Sequence, residues 1–487
     1  MKKITLILFL FIYASNLYAQ DGTLDTTFGT NGIKVVPTMD YLSDMITDSN
    51  GKLIILGGQN SNIMIYRYNL DGTLDTNFDS DGAKEIDLGA DFSIGSSVAV
   101  DANDNIIIAT NFYGKLVKLN ALDGTFDTTF GTSGIATYLS DYDKYVKVAV
   151  DFNEKIVVCS YQFSSCCVNK IQRFNSNGTI DTSFNSGNEV QYIYGFSEPS
   201  RVNGLQIQDD NKIIVSVTET NNIPFSHGIK RFNTNGTEDT TFTTGSTGVA
   251  TTGYFNGIFY DGSNLFGLAS NPSSSVNSTA TVIKYNSNGT KDTSFDSDGI
   301  LNFIFNTQYN NNPYSICFQP NGKPIIVAST RVQSTASNSN IALTRLNLDG
   351  TTDTTFGTNG ITLVGLNTPN LNKSWSVLNY INGKVYTLIF NGTSIGLYRF
   401  NTGIILSNTS FSNAEKITIV PNPTSNYLNI DSEKEIKYIN VIDVAGRVTS
   451  INNFTNKKID VSKLSNGIYF IEVQTTDGVF KSKFIKK

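Results

Sequence analysis

An all-β fold is predicted by three observations. The stretch DGTLDTTFGTNGI from Asp21 returns six more times, beginning at Asp71, Asp123, Asn177, Asn235, Asn288 and Asp349. A turn with an apolar strand, such as DSNGKLIILGG from Asp48, and a strand ending in a basic residue, an apolar residue and Asn, such as Arg67-Tyr68-Asn69, also occur seven times each. The composition agrees: 40 Gly, 31 Phe and 23 Tyr with only 16% charged residues leave no Ala-, Leu- or Glu-rich helical runs. A period of about 50 to 60 residues marks stacked supersecondary units. Four antiparallel strands in each of seven periods describe the blades of a seven-bladed β-propeller. A small β-sandwich domain is expected after it.

The chain opens with Lys2 and Lys3 ahead of the apolar run Ile4 to Tyr13 and the small and polar residues Ala14 to Ala19. That order is a secretory signal, 1–19, with cleavage between Ala19 and Gln20. The run is short for a bilayer span, and no other stretch is long enough, so no transmembrane segment is expected after cleavage.

The propeller is expected over 20–403. In each period the first strand follows the terminal Gly of the motif, as in GIKVV from Gly32. The second precedes the turn, as in SVAVD from Ser97; the third is of the KIIV type; the fourth runs into Arg-aromatic-Asn. Gly, Asn and Asp at the joints supply the positive φ and the Asx turns that tight hairpins need. Arg399-Phe400-Asn401 has no DTxF motif after it, and Asp25 to Phe28 has no such strand before it. The N-terminal strand is therefore expected to complete the last blade and cover its open edge.

Within the motif, Asp25, Asp75, Asp127, Asp181, Asp239, Asp292 and Asp353 hold one place, and Phe28, Phe78, Phe130, Phe184, Phe242, Phe295 and Phe356 another. One active site has no use for seven identical carboxylates, whereas seven blade joints do. Each Asp is expected to cap a turn by accepting backbone N–H groups, and each Phe to pack between neighbouring blades. Asp79-Ser80-Asp81-Gly82 and Asp296-Ser297-Asp298-Gly299 open like a calcium loop but lack its spaced acids and distal Glu, so they read as solvated turns. No metal or cofactor is expected.

Cys159 in KIVVCSY and the pair Cys166-Cys167 flank a short QFSS turn. Export permits a cross-strand bridge from Cys159 to Cys166 or Cys167, with Cys166 the candidate partner, and the alternative is four small buried thiols, which Cys317 in YSICFQP most resembles. A net charge of −6 offers no basic patch for nucleic acid, and one histidine, His227, argues against a His-ligated metal or a Ser-His-Asp triad.

The three repeated pieces together resemble the delta-60 repeat, a β-propeller family of bacterial secreted proteins, over about Asp21 to Gly403. The resemblance implies the fold and no established reaction or ligand.

After a linker, 404–415, the pattern changes. Alternating apolar residues at Ile417 to Val420, Ile436 to Val441 and Ile468 to Val473 indicate short half-buried strands in 416–487. Pro421-Asn422-Pro423, the turn from Asp443 to Arg447 around Gly446, the run Leu464-Ser465-Asn466-Gly467-Ile468-Tyr469 and the basic end Lys481 to Lys487 resemble the type A C-terminal sorting domain of the type IX secretion system. The resemblance implies the secretion machinery as a partner, passage across the outer membrane, and then release or surface attachment. An ordinary adhesive sandwich domain is the alternative.

Three functions compete: a non-catalytic recognition or adhesion module for glycan or protein, a structural component of the cell envelope, and a propeller glycoside hydrolase. Hydrolysis needs two carboxylates about 5 to 9.5 Å apart. Acids outside the repeated motifs include Asp91, Asp141, Asp143, Glu189, Glu198 and Glu219. A unique site belongs where sevenfold regularity fails: 161–169, 191–201, 219–228, 269–280 and 308–313.

Overall fold

Strand-forming residues gather into two compact units, Met1–Ile404 and Ile405–Lys487. The computed structural model describes residues 20–37, 39–89, 94–111, 113–138, 143–162, 168–193, 200–219, 227–243, 255–271, 278–305, 310–331, 339–365, 378–390, 394–403, 418–431, 436–443, 448–451, 457–475 and 479–487. The expected signal segment, with Ala19, lies outside them.

In the first unit, β1 (Ile33–Val36) precedes a series of antiparallel sheets. The first sheet is β2 (Tyr41–Thr47), β3 (Leu53–Gln59), β4 (Asn62–Tyr68) and β5 (Ala83–Ile86). The second is β6 (Ile94–Val100), β7 (Ile106–Asn111), β8 (Lys115–Leu119) and β9 (Ile135–Thr137). The third is β10 (Asp143–Val150), β11 (Ile156–Gln162), β12 (Asn169–Phe174) and β13 (Val190–Tyr192). The fourth shows β14 (Ser200–Ile207), β15 (Ile213–Glu219) and β16 (His227–Phe232) among the described residues. The fifth is β17 (Phe255–Tyr260), β18 (Leu265–Asn271), β19 (Thr279–Tyr285) and β20 (Ile300–Phe303). The sixth is β21 (Asn310–Phe318), β22 (Pro324–Arg331), β23 (Ser339–Arg345) and β24 (Ile361–Gly365). The seventh joins β25 (Leu378–Ile381), β26 (Lys384–Phe390) and β27 (Ile395–Asn401) to β1. Ile33 stands opposite Tyr398, and Val36 opposite Ile395.

Burial follows position in the sheet. Middle strands such as β3 and β7 are buried along almost their whole length, because a neighbouring sheet covers each face; hence the unbroken apolar runs LIIL and IIIA. Outer strands such as β24 are half exposed. The cores lie between sheets. Ile54, Leu56 and Ile63 of the first sheet pack with Val98, Ile106 and Val117 of the second. Tyr386, Leu388 and Leu397 of the seventh pack with Leu53, Ile55 and Met64 of the first. Polar side chains stitch the first strands of consecutive sheets: Ser43 Oγ donates to Gly95 O at 2.6 Å, Ser96 Oγ to Val146 O at 2.9 Å, and Asn203 Nδ2 to Phe255 O at 2.6 Å.

The second unit pairs two sheets. One holds β28 (Thr418–Val420), β29 (Tyr427–Asp431) and β32 (Lys458–Asp460). The other holds β30 (Ile436–Asp443), β31 (Val448–Ile451), β33 (Gly467–Thr475) and β34 (Val479–Lys486). Leu428, Ile430 and Ile459 of one face Ile439, Val441, Ile471 and Phe484 of the other in one core, a small sandwich. Asn422, between cis-linked Pro421 and Pro423, accepts from Ile485 N at 2.9 Å and so holds the terminal strand. Leu464 packs on this core, and Tyr469, which follows Gly467 in β33, stacks on Phe484 at 5.5 Å. Gly446 lies outside the described residues.

Candidate functional site: two unlike rims

Strand direction sorts the chain's connections onto two rims. The first strand of each sheet runs toward the rim where the Asn-Gly-Lys type turn joins it to the second. The third strand ends on that same rim and enters the DTxF motif. All repeated pieces of connection therefore share one rim. The links from second to third strand, and from each sheet to the next, share the other. Every irregular stretch singled out above is of this second kind: 161–169 joins β11 to β12, 191–201 joins β13 to β14, 219–228 joins β15 to β16, 269–280 joins β18 to β19, and 308–313 joins β20 to β21. Most of their residues lie outside those described.

On the motif rim, the Asp of each copy serves two partners. Its Oδ1 caps the turn, as when Asp353 Oδ1 accepts from Thr355 N at 3.1 Å and Thr355 Oγ1 at 2.6 Å. Its Oδ2 takes the basic residue of the preceding strand: Arg67–Asp75, Arg173–Asp181 and Arg231–Asp239 at 2.9 Å, and Arg345–Asp353 at 2.8 Å. Arg399 of β27 holds Asp25 at 2.9 Å, so the joint of the seventh sheet is made from both ends of the unit. The capping role follows from the sequence expectation; the ion pair is an addition to it.

Five joints use Arg, and each also has a Lys from the turn: Lys52, Lys155, Lys212, Lys323 and Lys384 reach the same Oδ2 at 2.7 to 3.6 Å. Two joints use Lys118 and Lys284, and there the turn position is Asn105 or Asn264. Geometry explains the exchange. An Arg gives the carboxylate its Nε and spends its other nitrogens elsewhere: on the next repeat, as Arg67 on Ala121 O and Leu122 O, Arg231 on Ser287 O and Arg345 on Thr402 O, or on a hydroxyl of its own motif, as Arg173 on Ser183 Oγ and Arg345 on Thr355 Oγ1. The turn Lys then supplies the second contact. In the other two joints the strand Lys meets the motif acid without a turn Lys: Lys284 reaches Asp292 at 2.8 Å, and Lys118 lies between Asp127 at 3.6 Å and Asp101 at 2.9 Å.

The Phe side chains are buried, except Phe242, which is half-buried. Each Arg or Lys lies over its ring, from 4.5 Å for Arg399 on Phe28 to 5.9 Å for Lys118 on Phe130. The next repeat's Gly closes over that ring. A Cβ on Gly72 would meet Phe28 at 2.7 Å, and one on Gly22 would meet Phe356 at 2.9 Å; both glycines also hold φ near +83°. No side chain fits there, which is why the Gly-Thr pair recurs.

The joints are electrostatically settled. Burial pushes the Asp25 carboxyl up, but hydrogen bonds from Lys384 and Thr27, with the Arg399 charge, outweigh it and hold the group at about 2. For Asp127 the Thr129 hydroxyl is the main lowering influence, and for Asp292 the Lys284 ammonium. Such permanently ionised, paired acids suit structure rather than proton transfer. Asp79 and Asp81 are likewise spent, on Lys84 at 2.9 Å and Ala83 N at 2.8 Å. Among the described residues no three metal-ligating side chains gather.

On the irregular rim, His227 begins β16 and stacks on Phe255 of the next sheet at 4.4 Å. Burial pulls its imidazole down to about 4, so it is neutral at neutral pH. Tyr192 is buried against Phe232 at 5.1 Å, whereas Ile193 beside it is exposed. Tyr145 and Arg201 stand exposed on the neighbouring strands β10 and β14. Of the acids outside the motif, Glu189 is held by Lys170 at 3.3 Å; Asp91, Asp141 and Glu198 lie outside the described residues, as do the side chains of Asp143 and Glu219.

One end of the expected cysteine bridge, Cys159, lies among the described residues. Ile171, not Cys166, stands opposite Cys159, because β11 and β12 pair as far as Tyr161 and Asn169 and leave the intervening residues to the link. Cys159 is a free, buried thiol whose burial pushes its pKa up to about 12, and Cys317 is free and buried too. Cys166 lies outside the described residues.

Comparison with known proteins agrees on architecture. Residues 49–78, 102–130, 155–184, 208–242 and 319–356 match the family described as Domain of unknown function (DUF5122) beta-propeller. Residues 418–487 match the Secretion system C-terminal sorting domain. No curated protein matches the chain. Among solved structures, virginiamycin B lyase from Staphylococcus aureus is similar over 75% of this chain and 98% of its own, at 14% identity and a TM-score of 0.44. PorZ, a surface component of the type-IX secretion system of Porphyromonas gingivalis, is similar over 93% of this chain at 13% identity and a TM-score of 0.43; the match spans 61% of PorZ.

Proposed function

We propose, for a chain built of DUF5122-type β-propeller repeats and ending in a secretion C-terminal sorting domain, that the exported protein is a non-catalytic recognition module. The propeller is read as a closed ring of seven blades, delivered by the type IX machinery and active at the cell surface or after release. It binds glycan or protein through the irregular rim. One observation carries this reading: the long irregular stretches 161–169, 191–201, 219–228, 269–280 and 308–313 all fall on one rim, while the repeated acids and bases are consumed in joints on the other. A passive structural ring has no need to concentrate its variation on one side. Binding sites are placed on variable connections held by a rigid scaffold.

The test is a glycan and protein array probed with the full exported chain and read for both binding and substrate breakdown. Saturable binding without turnover is expected, lost when the β15–β16 and β18–β19 links are replaced by two-residue Asn-Gly turns. Released product would overturn the non-catalytic reading. Binding that survives the replacement of all irregular links would overturn the choice of rim.

A further inference from the structure

Of the arginines with described side chains, Arg67, Arg173, Arg231, Arg345 and Arg399 are all ion-paired to an Asp of the motif. Arg201 is the exception. Its guanidinium lies 4.8 Å from the Tyr145 ring centroid, and among the described residues no carboxylate approaches it. Both residues are exposed, and both sit at the irregular-rim ends of first strands in adjacent sheets. Tyr145 also holds φ at 54°, in a bulge where the β10–β11 register shifts between Lys144 and Lys147. A bulky residue in that region is strained, and such strain collects where a side chain must be aimed. Farther along these strands the polar groups are mutually satisfied: Asn203 spans Ser216, Thr218 and Phe255 O, and Ser96 meets Val146 O. Among the described residues no acceptor takes the donors of Arg201.

We propose that Arg201, seated on Tyr145, reads the anionic group of an acidic polysaccharide, a uronate carboxylate or a sulfate ester. A guanidinium offers two parallel N–H groups to such an anion, and the ring beneath fixes its plane. The site is open, so one contact gives little affinity; a polymer that repeats its anion gains from many such encounters. That favours an acidic polysaccharide over a single acidic peptide. The chain as a whole is negative, at −6, so the attraction is local to this pair and weakens with salt. The inference rests on the recognition reading and names its ligand class.

The experiment measures binding of the full exported chain to polygalacturonate, dextran sulfate, neutral dextran and polyglutamate. Expected are binding to one of the two anionic polysaccharides and not to dextran, a loss of about tenfold in R201A, and an intermediate loss in R201K, which keeps the charge but not the fork. Unchanged folding by circular dichroism, with Y145F binding normally and Y145A weakened, separates recognition from damage. Equal affinity of R201A and wild type, tighter binding to polyglutamate, or no binding to either anionic polysaccharide would overturn the proposal. Saturable binding to a neutral glycan or a protein, unmoved by R201A, would overturn it while leaving the recognition reading intact. Failure to bind any probe on the broader array would instead remove that reading itself.

Discussion

On the motif rim, Arg345 is locked against Asp353 at 2.8 Å, over Phe356, with Asp21 and Thr402 O accepting from its Nη1 and Thr355 Oγ1 from its Nη2. On the irregular rim, Arg201 lies on an exposed tyrosine, and no ion pair holds it among the described residues. The same side chain is a rivet in one place and a free recognition group in the other. What differs is the surroundings: a position repeated seven times can be optimised once for packing, and only an unrepeated position can specify a single location.

The largest expected effects come from breaking the rivet. Asp353→Ala leaves Arg345 and Lys323 facing a vacated buried site, and a loss of about 3–5 kcal/mol in urea denaturation is expected. Asp127→Ala, in a Lys-type joint whose carboxylate is more exposed, is expected to cost less. Equal costs would refute the distinction between the two kinds of joint. Phe356→Ala removes a ring buried between the sixth sheet's motif and Gly22, with a similar expected loss of about 3–5 kcal/mol. Gly22→Ala meets both the Phe356 ring and a positive φ, and a loss above about 1 kcal/mol is expected from thermal or urea unfolding.

Acid should distinguish the rims as well. Asp25 titrates at about 2 in the folded chain against an ordinary 3.8, so the stability it contributes is complete above the ordinary value and is lost as pH falls toward 2. Asp75, Asp181, Asp239 and Asp353 shift the same way, so the denaturation midpoint should drop steeply below about pH 4. On the other rim, His227 has its pKa lowered from 6.5 to about 4; the neutral form is favoured by folding, and its contribution is lost between those values as pH falls. His227→Phe should flatten the midpoint between pH 6.5 and 4 and leave the steeper acid limb in place. A single unbroken transition in both proteins would contradict this assignment.

Much of the architecture is legible in the sequence because the repeat aligns its own copies. The period, the four strands and the pairing of Ile33 with the strand ending at Asn401 need no outside information. The joint was half legible. Asp353 as a turn cap follows from its local sequence, whereas the Arg345–Asp353 pair joins two pieces whose common recurrence signals contact but not partner. The exchange of Lys52 and Arg67 for Asn105 and Lys118 is a readable trace of that contact once the two pieces are set side by side. Tyr145 and Arg201 could not be joined from sequence. They are separated by a whole sheet along the chain, and only the lateral packing of β10 and β14 brings them together. Cys159 shows the same limit: a flanking turn suggests a partner, while the residue that register sets opposite it is Ile171.

The division of labour between the rims is tested most directly by one denaturation series on the full exported chain, comparing F356A with Y145A and R201A. The expected result is a loss of about 3 kcal/mol or more for F356A and changes within about 0.5 kcal/mol for the other two. Comparable losses at both rims would contradict the account, because the irregular rim would then be part of what holds the propeller together.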